Sequence, residues 1–231
     1  MFDFKEIIQD KCIEIQNNLR KYIKTEDTFN IDSIKAVAGV DIAYWKEDNK
    51  EKAVCCIVVI DINTHQILER QQVYGEVTLP YIPSCLSFRE IPLILEVLKK
   101  VKSNIDILML DGNGMLHPRH MGLATHISFY VNKPTIGVAK TYYKVNGQDF
   151  ITPDNIEGSS TNIEIEGRIV ARALRTHKNV KPIFVSIGNR ISLDTAVNIC
   201  MQVVDKNSHI PIPTRLADID THTYRNIGRG I

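Results

Sequence analysis

Short apolar runs alternate with amphipathic stretches along the chain, and their order predicts a layered α/β fold. Residues 5–24 place Ile8, Cys12, Ile15 and Leu19 at helical spacing, which predicts an amphipathic helix packed on the domain as a lid or brace. "KAVAGVDIAYW" (35–45), "KAVCCIVVID" (52–61) and "QILERQQVY" (66–74) read as three strands. Their connections, "KEDN" and "INTH", are short and polar, so the three should form an antiparallel meander. Residues 87–102 turn helical, with Ile91, Ile94, Leu98 and Val101 on one face. "IDILMLD" (105–111) and "PTIGVAK" (134–140) are buried strands around a helix over 118–131, with Pro118 at its first position. Strands over 166–174 and 182–188 and a helix over 192–204, capped by Ser192, complete the pattern. No periodicity is visible from His222, so 222–231 is expected to be a flexible tail.

Strands joined by helices call for parallel crossovers. The expected architecture is therefore one α/β domain over residues 1–231, with the helix of segment 1–30 packed on it. Its mixed β-sheet has three antiparallel strands, then parallel strands, with helices on both faces, in the order of the ribonuclease H-like fold.

Composition adds limits rather than direction. The 231 residues carry 44% hydrophobic and 24% charged side chains with a net charge of +1, so a nucleic-acid binder would have to concentrate its positive charge locally. Arg168, Arg172, Arg175, Lys178, Lys181 and Arg190 form one acid-free stretch that could face a strand or simply be solvated. Five cysteines, none at CxxC spacing, read as reduced and mostly buried thiols of a cytoplasmic protein. The N-terminus has no apolar signal region, and the longest apolar run is too short to span a membrane.

The chemistry lies where acids interrupt apolar strands. Asp41 shares a strand face with Gly39 and Ala43, which leave room above it; an arginine, backbone N–H groups or a metal could satisfy it. Asp111 ends an apolar strand and is followed by glycine, a common site position in open α/β sheets. The two strands should be neighbours, so the acids could share a metal, with Glu90 supplying a third oxygen. Oxygen ligands without a His/Cys cluster favour Mg²⁺ or Mn²⁺. His117, before a predicted helix N-terminus, and Lys140, at a strand end, suit a phosphodiester at the same edge. Gly112 and Gly114 would let backbone approach a ligand.

"VAGVDIAY", "PYIPSCLSFRE", "DGNGMLHPRHMGLATH" and "PTIGVAKTYY", with "ISLDTAV" and "PIPTRLAD" further on, resemble the endonuclease V family, the deoxyinosine 3′ endonucleases. The resemblance runs in order over about residues 36–218. It implies a Mg²⁺-dependent hydrolase that recognises hypoxanthine in DNA. Such an enzyme cuts the second phosphodiester bond 3′ to the lesion, leaving 3′-hydroxyl and 5′-phosphate ends. It further implies Asp41 and Asp111 as metal ligands, Glu90 as a third acid, and His117 and Lys140 at the scissile phosphate. A wedge of Tyr81, Ile82 and Pro83 would fill the place of the flipped base. The base pocket would involve backbone around Ser84, Leu86, Gly112, Gly137 and Ala139. The chain departs from the family pattern at Ser84, Cys85, Asn189 and Asp218, where Gly, Leu, His and His are frequent. A monomer without organic cofactor is expected. Inosine-containing RNA is the alternative substrate, and a non-catalytic damage-binding module or a sugar-kinase-like ATPase are remoter alternatives.

Overall fold

The computed structural model describes residues 4–230, so residues 1–3 and 231 of the expected domain lie outside the described residues. One eight-stranded sheet runs in the order β3-β2-β1-β4-β5-β8-β7-β6. Strands β1 (Ala36–Glu47), β2 (Lys50–Asp61) and β3 (Ile67–Glu76) form the expected antiparallel meander. Helix α2 (Leu86–Leu98) then leads to β4 (Ile107–Asp111), which pairs parallel with β1. Helix α3 (Leu123–Val131) leads to β5 (Thr135–Ala139), parallel to β4. Beyond β5 the sheet returns to antiparallel pairing through β8 (Ile183–Asn189), β7 (Arg168–Leu174) and β6 (Ser160–Ile165). This is a mixed, ribonuclease H-like sheet whose parallel part is the centre, β1-β4-β5.

Side-chain alternation divides the core between the two faces. Ala36, Ala38 and Val40 of β1 pack with Ile91, Ile94 and Val97 of α2 and Ala124 and Ile127 of α3. Val37, Met109 and Ile136 join the larger cluster on the other face, together with Ala196 and Cys200 of α4 (Leu193–Gln202) and Ala217 of α5 (Ile212–Gly228). Ser192 caps α4, its side chain accepting from the Thr195 N–H. Helix α1 (Phe4–Leu19) packs Cys12 against Ile82 and Cys85 and acts as a brace for the segment before α2.

Two expectations need correction. The residues from His222 are not a tail: α5 continues through them to Gly228. Tyr74 donates to the Tyr224 carbonyl at 3.0 Å, Arg70 pairs with Asp220 at 2.5 Å, and Gly228 lies under Trp45. The helix beginning at Pro118 does not form either. Residues 112–122 are a folded loop, with the Met115 N–H on the Ile187 carbonyl and the Gly122 N–H on the Gly114 carbonyl. His120 there has φ 54°, a left-handed backbone that no α-helix contains, and α3 starts only at Leu123.

Candidate active site and lesion pocket

The register of the central strands builds the site. The last β1-β4 pair is Val40 with Leu110, so Asp41 and Asp111 sit level, one residue on, at the carboxyl ends of adjacent parallel strands. Asp111 is in turn level with Val138 of β5, and Lys140 follows the end of that strand. Helix α5 crosses the same face and comes close because residue 39 is glycine. A Cβ on Gly39 would lie 2.1 Å from the Pro213 carbonyl carbon. This seating brings Asp218 and Thr221 over the strand ends.

The result is a cluster of three carboxylates. Asp41, Asp111 and Asp218 each offer an oxygen, and these oxygens all lie within 4.8 Å of one another. Thr221 Oγ1 lies 2.9 Å from Asp41 Oδ2, while the Lys140 ammonium bridges Asp111 at 2.7 Å and Asp218 at 2.9 Å. Burial and the Asp111 charge push the Asp41 carboxyl up to about 7. Burial also raises Asp111, outweighing the opposing ion pair with Lys140. For Lys140 burial opposes the charge, but Asp111 and Asp218 outweigh it and hold the ammonium above its ordinary range. The site is thus an oxygen-rich, electrostatically frustrated cluster, relieved by one lysine. Its donor set fits a hard divalent cation.

Glu90 is held apart from this set. It is buried, its Oε1 accepts from the Tyr44 hydroxyl at 2.6 Å, and burial raises its carboxyl to about 7. Among the described residues it is not one of the three clustered acids, though the Asp41 and Asp111 charges still reach it. Arg89 fixes this turn of α2: it pairs with Glu51 at 2.6 Å and donates to the Leu79 carbonyl at 2.8 Å.

His117 stands elsewhere than at a helix N-terminus. It is buried, and both ring nitrogens are engaged within the chain. Nε2 lies 3.0 Å from the Ser84 carbonyl, which can only accept, so Nε2 carries the proton. Nδ1 then accepts from the N–H groups of Arg119 and Met121. Burial lowers its pKa to about 4, so the ring is neutral at physiological pH and offers no cation to a phosphate in this arrangement.

A cavity of about 180 Å³ opens beside these residues, lined by Tyr81, Ser84, Leu86, Gly112, Asn113 and Tyr143 among others. Tyr81 is 64% exposed at its rim, but Ile82 is buried against Cys12 and Cys85. The expected three-residue wedge is therefore divided: Tyr81 and Pro83 are exposed, and Ile82 between them is the buried anchor. Gly137 and Ala139 do not line the cavity. Gly137 makes room for the 113–114 backbone, where a Cβ would lie 2.4 Å from the Gly114 nitrogen, and Ala139 is buried in the core. A larger cavity, about 720 Å³, lies along α2 and touches none of the clustered acids.

Sequence reasoning noted Asp218 only as a departure and missed Thr221, Asn113 and Tyr143. For Asp218 and Thr221 the missing signal was α5 itself, since without a helix there neither had a place. The acid-free basic stretch is dispersed in the fold. Arg175 is buried on the Pro153, Asp154 and Val180 carbonyls, and Arg172 pairs with Asp194. Asn189 is structural: it accepts from the Lys24 N–H and donates to Ser128, both at 2.8 Å.

Comparison with known proteins decides the family. The family model described as Endonuclease V matches residues 17–219. The chain belongs to the endonuclease V family. An Endonuclease V of Bacillus thuringiensis subsp. konkukian is 52% identical over 224 residues, covering 97% of this chain and 95% of that one. The crystal structure of Endonuclease V from Bacillus subtilis superposes with a TM-score of 0.91 at 45% identity, covering 100% of this chain and 95% of that chain. Ciona intestinalis Endonuclease V, in complex with a 24mer DNA containing an inosine followed by a ribo-adenosine, has a TM-score of 0.85 at 27% identity, covering 96% and 98% of the two chains. Membership makes this endonuclease V a nuclease, an enzyme acting on nucleic acid. No helix among its described residues is long and apolar enough to cross a membrane.

Proposed function

We propose that this endonuclease V acts as a monomer on DNA containing deoxyinosine and hydrolyses the second phosphodiester bond 3′ to the lesion. The observation that carries the reading is the carboxylate cluster next to a narrow cavity with an exposed tyrosine at its rim. An extruded base needs a slot to enter and an aromatic to take its place in the stack. The inosine in the DNA bound by the Ciona relative supports the same lesion here.

Asp41, Asp111 and Asp218 would hold Mg²⁺, with Mn²⁺ as a substitute and Glu90 contributing through water. The ion would supply charge stabilisation for the pentavalent phosphate. Lys140 shares two of these carboxylates, so a cation there would free its ammonium to meet a phosphate oxygen. Water attacks phosphorus, the bond from phosphorus to O3′ breaks, and the proton lost by the water balances the one gained by O3′. The products are a 3′-hydroxyl and a 5′-phosphate. Thr221 steadies Asp41 from α5, and Tyr44 steadies Glu90 from β1.

The test is an end-labelled oligonucleotide with one inosine, with Mg²⁺ and with chelator. The expected product ends one nucleotide beyond the lesion and disappears on chelation. Cutting elsewhere, or unchanged cutting in chelator, would contradict the reading. The ribo-adenosine in the Ciona complex favours running the same oligonucleotide as RNA, where faster cutting would reassign the substrate. Tyr81→Ala should weaken inosine-DNA binding by about 1–3 kcal/mol, as loss of one stacking platform does. Binding to unmodified DNA should change less, as fluorescence anisotropy will report.

A further inference from the structure

We propose that Gln16, on α1, is a positioning residue for the lesion pocket, acting on Ser84 both directly and through Arg119 to lock the turn that presents Tyr81. The proposal rests on the reading above, in which this pocket takes a flipped base.

The turn is unfavourable by itself. The Cys85 N–H bonds to the Ile82 carbonyl at 3.0 Å, so Ile82-Pro83-Ser84-Cys85 is a tight turn. Proline suits its second position. Its third position needs a positive φ, which glycine adopts without strain, but Ser84 occupies it at φ 60°. Something outside the turn must hold Ser84 there.

Three side chains do so. The Ser84 carbonyl accepts from Gln16 Nε2, His117 Nε2 and Arg119 Nη2, each at 3.0 Å. Arg119 Nη2 also reaches Ser84 Oγ at 2.8 Å, and Arg119 Nε donates to Gln16 Oε1 at 2.6 Å. Gln16 is fully buried and also reaches the Met121 carbonyl at 3.3 Å. A buried amide satisfied at both ends joins α1, the 112–122 loop and the turn. Ser84 and Met121 both line the cavity, so the same amide sets two of its walls. Without it, Ser84 can relax to a negative φ, and the adjoining Tyr81 and the cavity mouth shift with it.

The experiment uses the full chain and the variants Gln16→Leu, Ser84→Gly and the double variant. Binding is measured in chelator to matched oligonucleotides with and without inosine, and amide hydrogen exchange is followed over 81–86. Gln16→Leu should weaken inosine-DNA binding about tenfold. Unmodified DNA binding should be little altered, and the apparent KM should rise more than kcat falls. Exchange over 81–86 should quicken while β4 and β5 stay protected, which separates this effect from unfolding. The double variant should regain most of the inosine preference, because glycine takes the left-handed conformation without a tether. Equal weakening toward both oligonucleotides, unchanged exchange over 81–86, or no recovery in the double variant would overturn the proposal. Absence of inosine preference in the wild type would instead sink the lesion reading, and the exchange data alone would then decide the tether.

Discussion

Asp41→Asn is expected to abolish strand scission while making the metal-free protein more stable at neutral and higher pH. The activity loss should exceed about a hundredfold, the upper end of what losing a mere supporting partner of a metal ligand costs. The stability gain follows from the raised carboxyl. Asp41 moves from 3.8 to about 7, because burial and Asp111 disfavour its charge. A group whose folded pKa is raised contributes stability below its unfolded value and loses that contribution as pH climbs through the folded value. Metal-free wild type should therefore weaken between about pH 4 and pH 7, and the asparagine variant should escape that part of the decline. Thermal melts in chelator will show it, at about 2–4 °C for each kcal/mol relieved. Adding Mg²⁺ at pH 8 should raise the wild-type Tm by linkage and leave the variant almost unmoved. A variant that cuts at the wild-type rate would remove Asp41 from the site.

Gly39→Ala should be as damaging, although residue 39 touches no substrate. A Cβ there would meet the Pro213 carbonyl carbon at 2.1 Å and the Thr214 nitrogen at 2.3 Å. Both are backbone atoms at the start of α5, so no side-chain rotation relieves the clash. The cost should be about 3 kcal/mol, lowering Tm by about 10 °C. Relief by displacement of α5 would carry Asp218 and Thr221 away from Asp41 and Asp111. The Mg²⁺-induced rise in Tm should then disappear with the activity. If Gly39→Ala keeps both its Tm and that rise, α5 is not seated as described.

How much of this could be read beforehand depended on the kind of signal. β1, β2, β4 and β5 are continuous apolar runs, and an acid breaking such a run marks itself, as Asp41 and Asp111 do. The helix α5 left little trace. Its buried residues include Pro213, Thr214, Ala217 and Thr221, too small or too polar to form an apolar stripe. With it went Asp218, which belongs to the site only because a helix carries it there. β6 was missed because three of its six residues are exposed and only Ile163 and Ile165 are buried, too few to mark a strand. His117 was placed by the rule that proline opens helices. The loop follows the close contacts of Gly114 and Gly122 with neighbouring backbone instead. The strain at Ser84 was hinted at by the resemblance, since glycine is frequent there, but its remedy through Gln16 and Arg119 required tertiary structure.

The hydrogen bond between Thr221 and Asp41 spans 180 residues of sequence. Such a separation makes the contact slow to form and late to arrive. During synthesis β1 and β4 emerge and can pair long before α5 exists, so a nascent chain holds Asp41 and Asp111 without Asp218 above them. On the proposed metal assignment, competence to cut nucleic acid is deferred to the docking of the final helix. Fragments interrupted before residue 212 carry two of the three clustered acids, so the proposed metal site is completed only when the last helix appears.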